Sequence, residues 1–235
     1  MFSGTKRVLR NNFYDFVPPV VSQRILPILP PSSPFHSSVL NAEIIFIHVP
    51  KTAGTSIKQK LYQTSDRLGH RRICEYYAFD PHRASMFFKF AVVRNPWDRF
   101  YSAYCFLNQR QNTSHSDRVF SETILGKFDG FEAFVDALQD RSMRRKVLSY
   151  THFIPQSYWI CRRGASGHAL DYLGRFENLS ADLERVFDRI GRHQAQLPQV
   201  RASRHGAYRE AYSPRSRNIV ADLYLQDITL LGYDF

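Results

Sequence analysis

Apolar residues along this chain gather in two short runs and several periodic ones. Residues 43–49 read EIIFIHV and residues 87–93 read FFKFAVV. Short apolar runs rich in β-branched and aromatic side chains are the pattern of strands buried on both faces. Pro50 ends the first run, because proline cannot donate to a sheet ladder. Arg94-Asn95-Pro96 ends the second and opens a helix, with Asn95 as its cap and Pro96 in the first turn. ALDYLGRF (169–176) predicts a third strand.

The periodic runs predict helices. After the first strand, Ile57, Leu61 and Tyr62 share a face, and Thr55 or Ser56 is the expected cap. After the second, Trp97, Phe100, Tyr101, Tyr104 and Leu107 recur at helical spacing. Residues 129–138 and 177–190 are two more amphipathic helices. The tail from Ser213 predicts one long closing helix, with Ile219, Leu223 and Leu230 on its apolar face. Strands separated by helices imply an α/β fold, a single domain with a mostly parallel central sheet flanked by helices. In such sheets ligands bind beyond the carboxyl ends of the strands. Residues 1–41 read as a Pro/Ser-rich, extended N-terminal lead-in, and residues 42–235 as the domain.

Composition narrows the partners. The chain has 235 residues, 43% of them hydrophobic and 23% charged, which fits one globular domain. Its net charge of +11 suits an anionic partner, whether nucleic acid, acidic membrane surface or small polyanion. Cys74, Cys105 and Cys161 are widely spaced, the pattern of free thiols in a reducing compartment, with no zinc site expected. The early apolar stretch FVPPVVSQRILPILPP is broken by Arg24 and prolines, so it is no spanning helix. A soluble, cytoplasmic protein is expected, with peripheral membrane contact left open.

The chemistry lies at the two strand ends. FIHVPKTAGTS (46–56) resembles a Walker loop with its lysine displaced, since Lys51 precedes Gly54. Ala53 and Gly54 allow main-chain N–H groups close to an anion, and a following helix adds its dipole. Thr52, Thr55 and Ser56 offer hydroxyls, and Lys51 a full charge. At the second strand end, Arg94 stands where a nucleotide-hydrolysing protein would place a magnesium-binding aspartate. An arginine there indicates direct phosphate recognition without a metal. Ser102 follows two helical turns later. Asp98, Arg99, Trp97 and Tyr101 read as structural.

The two stretches together resemble the sulfotransferases that use 3′-phosphoadenosine-5′-phosphosulfate (PAPS), most closely the branch that includes carbohydrate sulfotransferases. The resemblance runs from about residue 43 to 235 and is carried by FIHVPKTAGTS, FAVVRNPWDRFYSAY, THFIPQSYW, GRFENL and DITLLGYDF. It implies a P-loop-like fold in which Lys51, Thr52, Ala53, Gly54, Thr55 and Ser56 hold the 5′-phosphosulfate. Arg94 and Ser102 would hold the 3′-phosphate, and Arg204 and Tyr208, in a late basic loop, would close over the nucleotide. No metal is implied. The anchor helix of Golgi members is missing, which suggests a bacterial-type soluble enzyme.

Sulfuryl transfer needs a base for the acceptor proton. Some glycan sulfotransferases carry theirs in a Gly-His context, at an interval before the arginine like that of His70. His70 is therefore the first candidate. His152 in THFIPQSYW is the second, as base or as a wall of the acceptor pocket. His82 reads as a turn residue, and His48 as a packed, hydrogen-bonded histidine. Lys51 neutralises the departing phosphate oxygen. The expected acceptor is a hydroxyl of a carbohydrate or glycolipid. Two rivals remain at this point: a P-loop small-molecule kinase, and a basic nucleic-acid module, for which no zinc, helix-turn-helix or RNA-binding signature is visible.

Overall fold

The computed structural model describes residues 33–63, 68–109, 114–162, 164–192 and 208–235. Three parallel strands form the sheet in the order β1 (Ile44–Ile47), β2 (Phe88–Val93), β3 (Tyr172–Arg175). Ile44 pairs with Phe88, and Phe90 with Tyr172.

Period-two alternation divides the strand residues between two cores. Ile45, Ile47, Ala91 and Val93 face one side, against α3 (Ile73–Phe79), α9 (Gln156–Ile160) and the chain's last residues. Ile44, Phe46, Phe90 and Val92 face the other, against α2 (Gly54–Tyr62) and α10 (Leu179–Arg189). The Tyr62 hydroxyl stitches α2 to β1, accepting from Phe46 N–H at 3.0 Å and donating to Ile44 O at 2.9 Å.

A third core lies beyond the strand ends. It is built on α5 (Pro96–Asn108), whose Phe100, Ala103 and Leu107 are fully buried. Helices α6 (His115–Thr123), α7 (Gly130–Ala137), α8 (Arg141–Leu148) and α11 (Pro214–Leu223) bring further members of that cluster. Asn95 caps α5 as expected, accepting from Trp97 N–H at 3.1 Å.

Four local expectations change. Helix α2 starts at Gly54, and its cap is Ala53 in the left-handed conformation (φ 63°). Thr55 and Ser56 thus lie in the first turn and do not cap. The stretch up to residue 41, expected extended, ends in a helix, α1 (Ser37–Ala42), which buries Val39. His82 belongs to the first turn of α4 (Pro81–Met86), which Asp80 caps by accepting from Arg83 N–H. The tail is two helices, α11 and α12 (Leu225–Leu231), parted at Tyr224. Tyr224 is buried with its hydroxyl on Phe153 O, and Asp227 turns away to cap α9 through Gln156 N–H and Ser157 N–H. Those two fixed points outweigh the uninterrupted helical pattern. Among the described residues, no helix is long and apolar enough to cross a membrane.

Candidate active site

β1 and β2 deliver their loops to the same carboxyl edge. After β1 the chain turns through Lys51 (φ 71°) and Ala53 (φ 63°), two left-handed non-glycine residues around Thr52. Such conformations cost about 1 kcal/mol or more each and persist where the surroundings over-determine them. Thr52 is one determinant: fully buried, it donates its hydroxyl proton to Val49 O at 2.9 Å. That commits the proton to the loop. The first turn of α2 then points N–H groups without intrahelical acceptors out of the cradle. Thr55 is exposed and Ser56 half-buried at this mouth.

Lys51 lies with Nζ 3.9 Å from the centroid of Phe106, a ring on α5. Burial brings its pKa down to about 8, helped by the charge of Arg94 and opposed by Asp117 and Cys105. Gly54 has a role the sequence reading did not foresee. A Cβ there would fall 1.8 Å from Cδ2 of His48. The glycine admits the His48 ring against the start of α2, and its own φ is not positive.

The His48 and His70 rings lie against each other, tilted by 34° with centroids 4.1 Å apart. His70 Nδ1 lies 2.8 Å from His48 O, and a carbonyl can only accept, so Nδ1 carries the proton. His70 Nε2 is then the lone-pair nitrogen. Burial lowers the His70 pKa to about 4, the bond to His48 O only partly opposing it. His48 is held well below the usual imidazole value, first by burial and then by His70, Lys58 and His152. Contrary to expectation, its buried Nδ1 has no hydrogen-bond partner among the described residues.

His152 stands nearby, with its ring 5.2 Å from that of Phe106. Its Nε2 is 3.0 Å from Asp117 Oδ1, and its Nδ1 is buried with no partner among the described residues. Burial lowers the His152 pKa despite the Asp117 carboxylate. For Asp117, burial alone would raise the pKa, but hydrogen bonds from His152, Tyr150 and Ser114 leave it below the usual carboxylate range. Arg99, expected to be structural, is 0% exposed and donates to His152 O at 3.1 Å and Ile154 O at 2.8 Å. It fixes the THFIP turn to α5.

Arg94 is buried at the end of β2. Its fork grips Asp98 through Nε at 2.7 Å and Nη2 at 2.8 Å, and Nη1 reaches Lys51 O at 3.3 Å. Its guanidinium carbon lies 4.2 Å from the Phe176 ring centroid. Ser102 is buried two turns along α5. Tyr208 is half-buried in a short 3-10 turn, 5.7 Å from the Phe235 ring centroid and within electrostatic reach of Asp98. Arg204 lies outside the described residues. His82 is exposed on α4, which leads into the amino end of β2, the edge opposite the loop.

Several residues that frame this edge were not singled out from the sequence. Gln156 is fully buried and clasps the Arg94 main chain, accepting from N–H at 2.9 Å and donating to O at 2.8 Å. Glu177 accepts from Asn95 N–H at 2.7 Å and Tyr233 hydroxyl at 2.9 Å. Asp234 O takes the Asn95 side-chain amide. Their signal was present: they sit in THFIPQSYW, GRFENL and DITLLGYDF, the stretches that carried the resemblance. Each holds the Arg94–Asn95 turn.

A model of the sulfotransferase family matches residues 41–234. The chain belongs to the sulfotransferase family. The match includes both loops, the His48–His70 pair and the C-terminal clamps on the Arg94 turn. No curated protein and no solved structure matches the chain. Membership removes the kinase and nucleic-acid readings as accounts of the loop, whose displaced lysine neither had explained.

Proposed function

We propose that this sulfotransferase moves a sulfuryl group from PAPS to a hydroxyl of a carbohydrate or glycolipid, with His70 as general base and no metal. The observation that carries the reading is the His70 tautomer: Nδ1–H is tied to His48 O, so a neutral Nε2 can take a proton beside the Lys51 loop. The cradle suits the donor. A strained loop opening a helix, with a half-buried lysine, fits a 5′-phosphosulfate, and Lys51 to Ser56 are its holders in this reading. Arg94 and Ser102 follow β2 at the same edge, and in this reading they hold the 3′-phosphate together with Tyr208 and Arg204.

The donor supplies an activated sulfuryl group. As the acceptor oxygen bonds to sulfur, its proton passes to His70 Nε2, and the bond from sulfur to the bridging phosphate oxygen breaks. Lys51 offsets the charge that grows on that oxygen. His152 suits the base role less well, because Asp117 occupies one nitrogen and packing seals the other. Its ring serves as a wall beside Lys51. Work in the cytoplasm, with peripheral contact at a membrane face, accords with the +11 charge.

The test is His70→Ala. Transfer should fall by about 10²–10⁴-fold, the usual worth of a positioned base, while 3′-phosphoadenosine-5′-phosphate (PAP) binds as in the parent. Near-normal turnover in that variant sinks the assignment.

A further inference from the structure

His48 is not spent by the roles already given to its carbonyl and to the ring face against His70. The side chain is 8% exposed, and its two nitrogens differ. Nδ1 is sealed from solvent and has no partner among the described residues. Nε2 is on the side of the ring that meets Gly54, 2.2 Å from where a Cβ would stand on the first residue of α2. A neutral imidazole has one N–H to place. Buried N–H groups without acceptors are rarer and costlier than buried lone pairs without donors. The proton therefore belongs on Nε2, facing the cradle. In-line transfer places sulfur between the loop and the base, and the His48 ring, 4.1 Å from that of His70 and against the start of α2, stands at that junction.

We propose that His48 is a donor-binding residue of the reaction, its Nε2–H donating a hydrogen bond to a sulfuryl oxygen of PAPS. The inference rests on the function proposed above and deepens it. It also accounts for glycine at 54: any side chain there displaces the ring that makes this contact. His48 then belongs with Lys51 among groups that favour charge developing during transfer, and His70 stays the proton acceptor.

Paired binding measurements test it, since PAP lacks the sulfuryl group and PAPS carries it. Calorimetry without acceptor would follow His48→Gln, His48→Asn and His48→Leu. Glutamine can place an amide N–H near the Nε2 position, whereas asparagine reaches only the Nδ1 position and leucine offers none. The expected result is a PAPS affinity about tenfold weaker in the Asn and Leu variants, the worth of one hydrogen bond to an anion. PAP affinity stays within about twofold, and the Gln variant recovers PAPS binding. If Leu fails to fold, the Gln–Asn pair decides alone. PAP and PAPS affinities falling together would reduce His48 to a prop for the loop and overturn the proposal. So would no change in either, or rescue by Asn in place of Gln. Failure of the parent protein to bind PAP would instead overturn the function on which the proposal rests.

Discussion

Lys51 and His70 bound the working pH from opposite sides. His70 titrates near 4, so its lone pair is present above that value and lost as pH falls through it. Lys51 titrates near 8, so its charge is present below that value and lost as pH rises through it. The pH profile of kcat/KM for PAPS should be a plateau with limbs near these two values, since that ratio reports the free enzyme. Lys51→Arg should move the alkaline limb upward by more than one pH unit, because guanidinium stays charged. An unmoved alkaline limb would assign it to another group. Arg94→Ala should weaken PAP binding about 10–100-fold, the range for losing charged hydrogen bonds. A dissociation constant within twofold of the parent would remove Arg94 from the nucleotide site and leave it a structural role through Asp98, Lys51 O and Phe176.

At the level of elements, the start of α2 depends on His48 and Gly54 fitting together. Gly54→Ala should lower Tm and PAP affinity because its Cβ collides with the imidazole. In a His48→Ala background the same change should cost much less, giving a double-mutant coupling of about 1–3 kcal/mol. Additive effects would mean that the ring yields freely. The same element shows why the sequence was only partly legible. β1 and β2 were readable because strands buried on two faces are mostly apolar, Lys89 with its partner Asp171 being the exception, and the start of α5 because Asn95-Pro96 is chemically marked. The start of α2 was not, since its cap is a left-handed alanine imposed by the loop, a conformation no hydroxyl advertises. The tail misled for another reason. Its helical pattern is continuous, but Tyr224 and Asp227 answer to Phe153 and α9, which local periodicity does not reveal. In the candidate site, residue types were readable while their pairings were not: the Asp98 grip on Arg94 and the His48–Gly54 contact are long-range or conformational facts.

For the molecule as a whole, His48, His70 and His152 all have pKa values depressed by burial. Unfolded histidines titrate near about 6.5, so below that pH the unfolded chain binds more protons than the folded one. The stability these groups contribute is complete above about 6.5 and declines as pH falls toward their folded values. Tm should hold steady from about pH 8 to 7 and drop below about pH 6, less steeply in a His152→Phe variant. A Tm independent of pH down to 5 would show that the three rings protonate freely in the fold. The wider architecture sets these rings where two strand ends meet a helical layer, within a protein of net charge +11. That placement is the basis for assigning an anionic donor to the edge. The most direct measurement is transfer of labelled sulfate from PAPS to a panel of glycans and glycolipids, in EDTA. The account predicts label on a carbohydrate hydroxyl with the parent protein and none with His70→Ala. Label absent from every acceptor, or appearing only when a divalent metal is supplied, would contradict it.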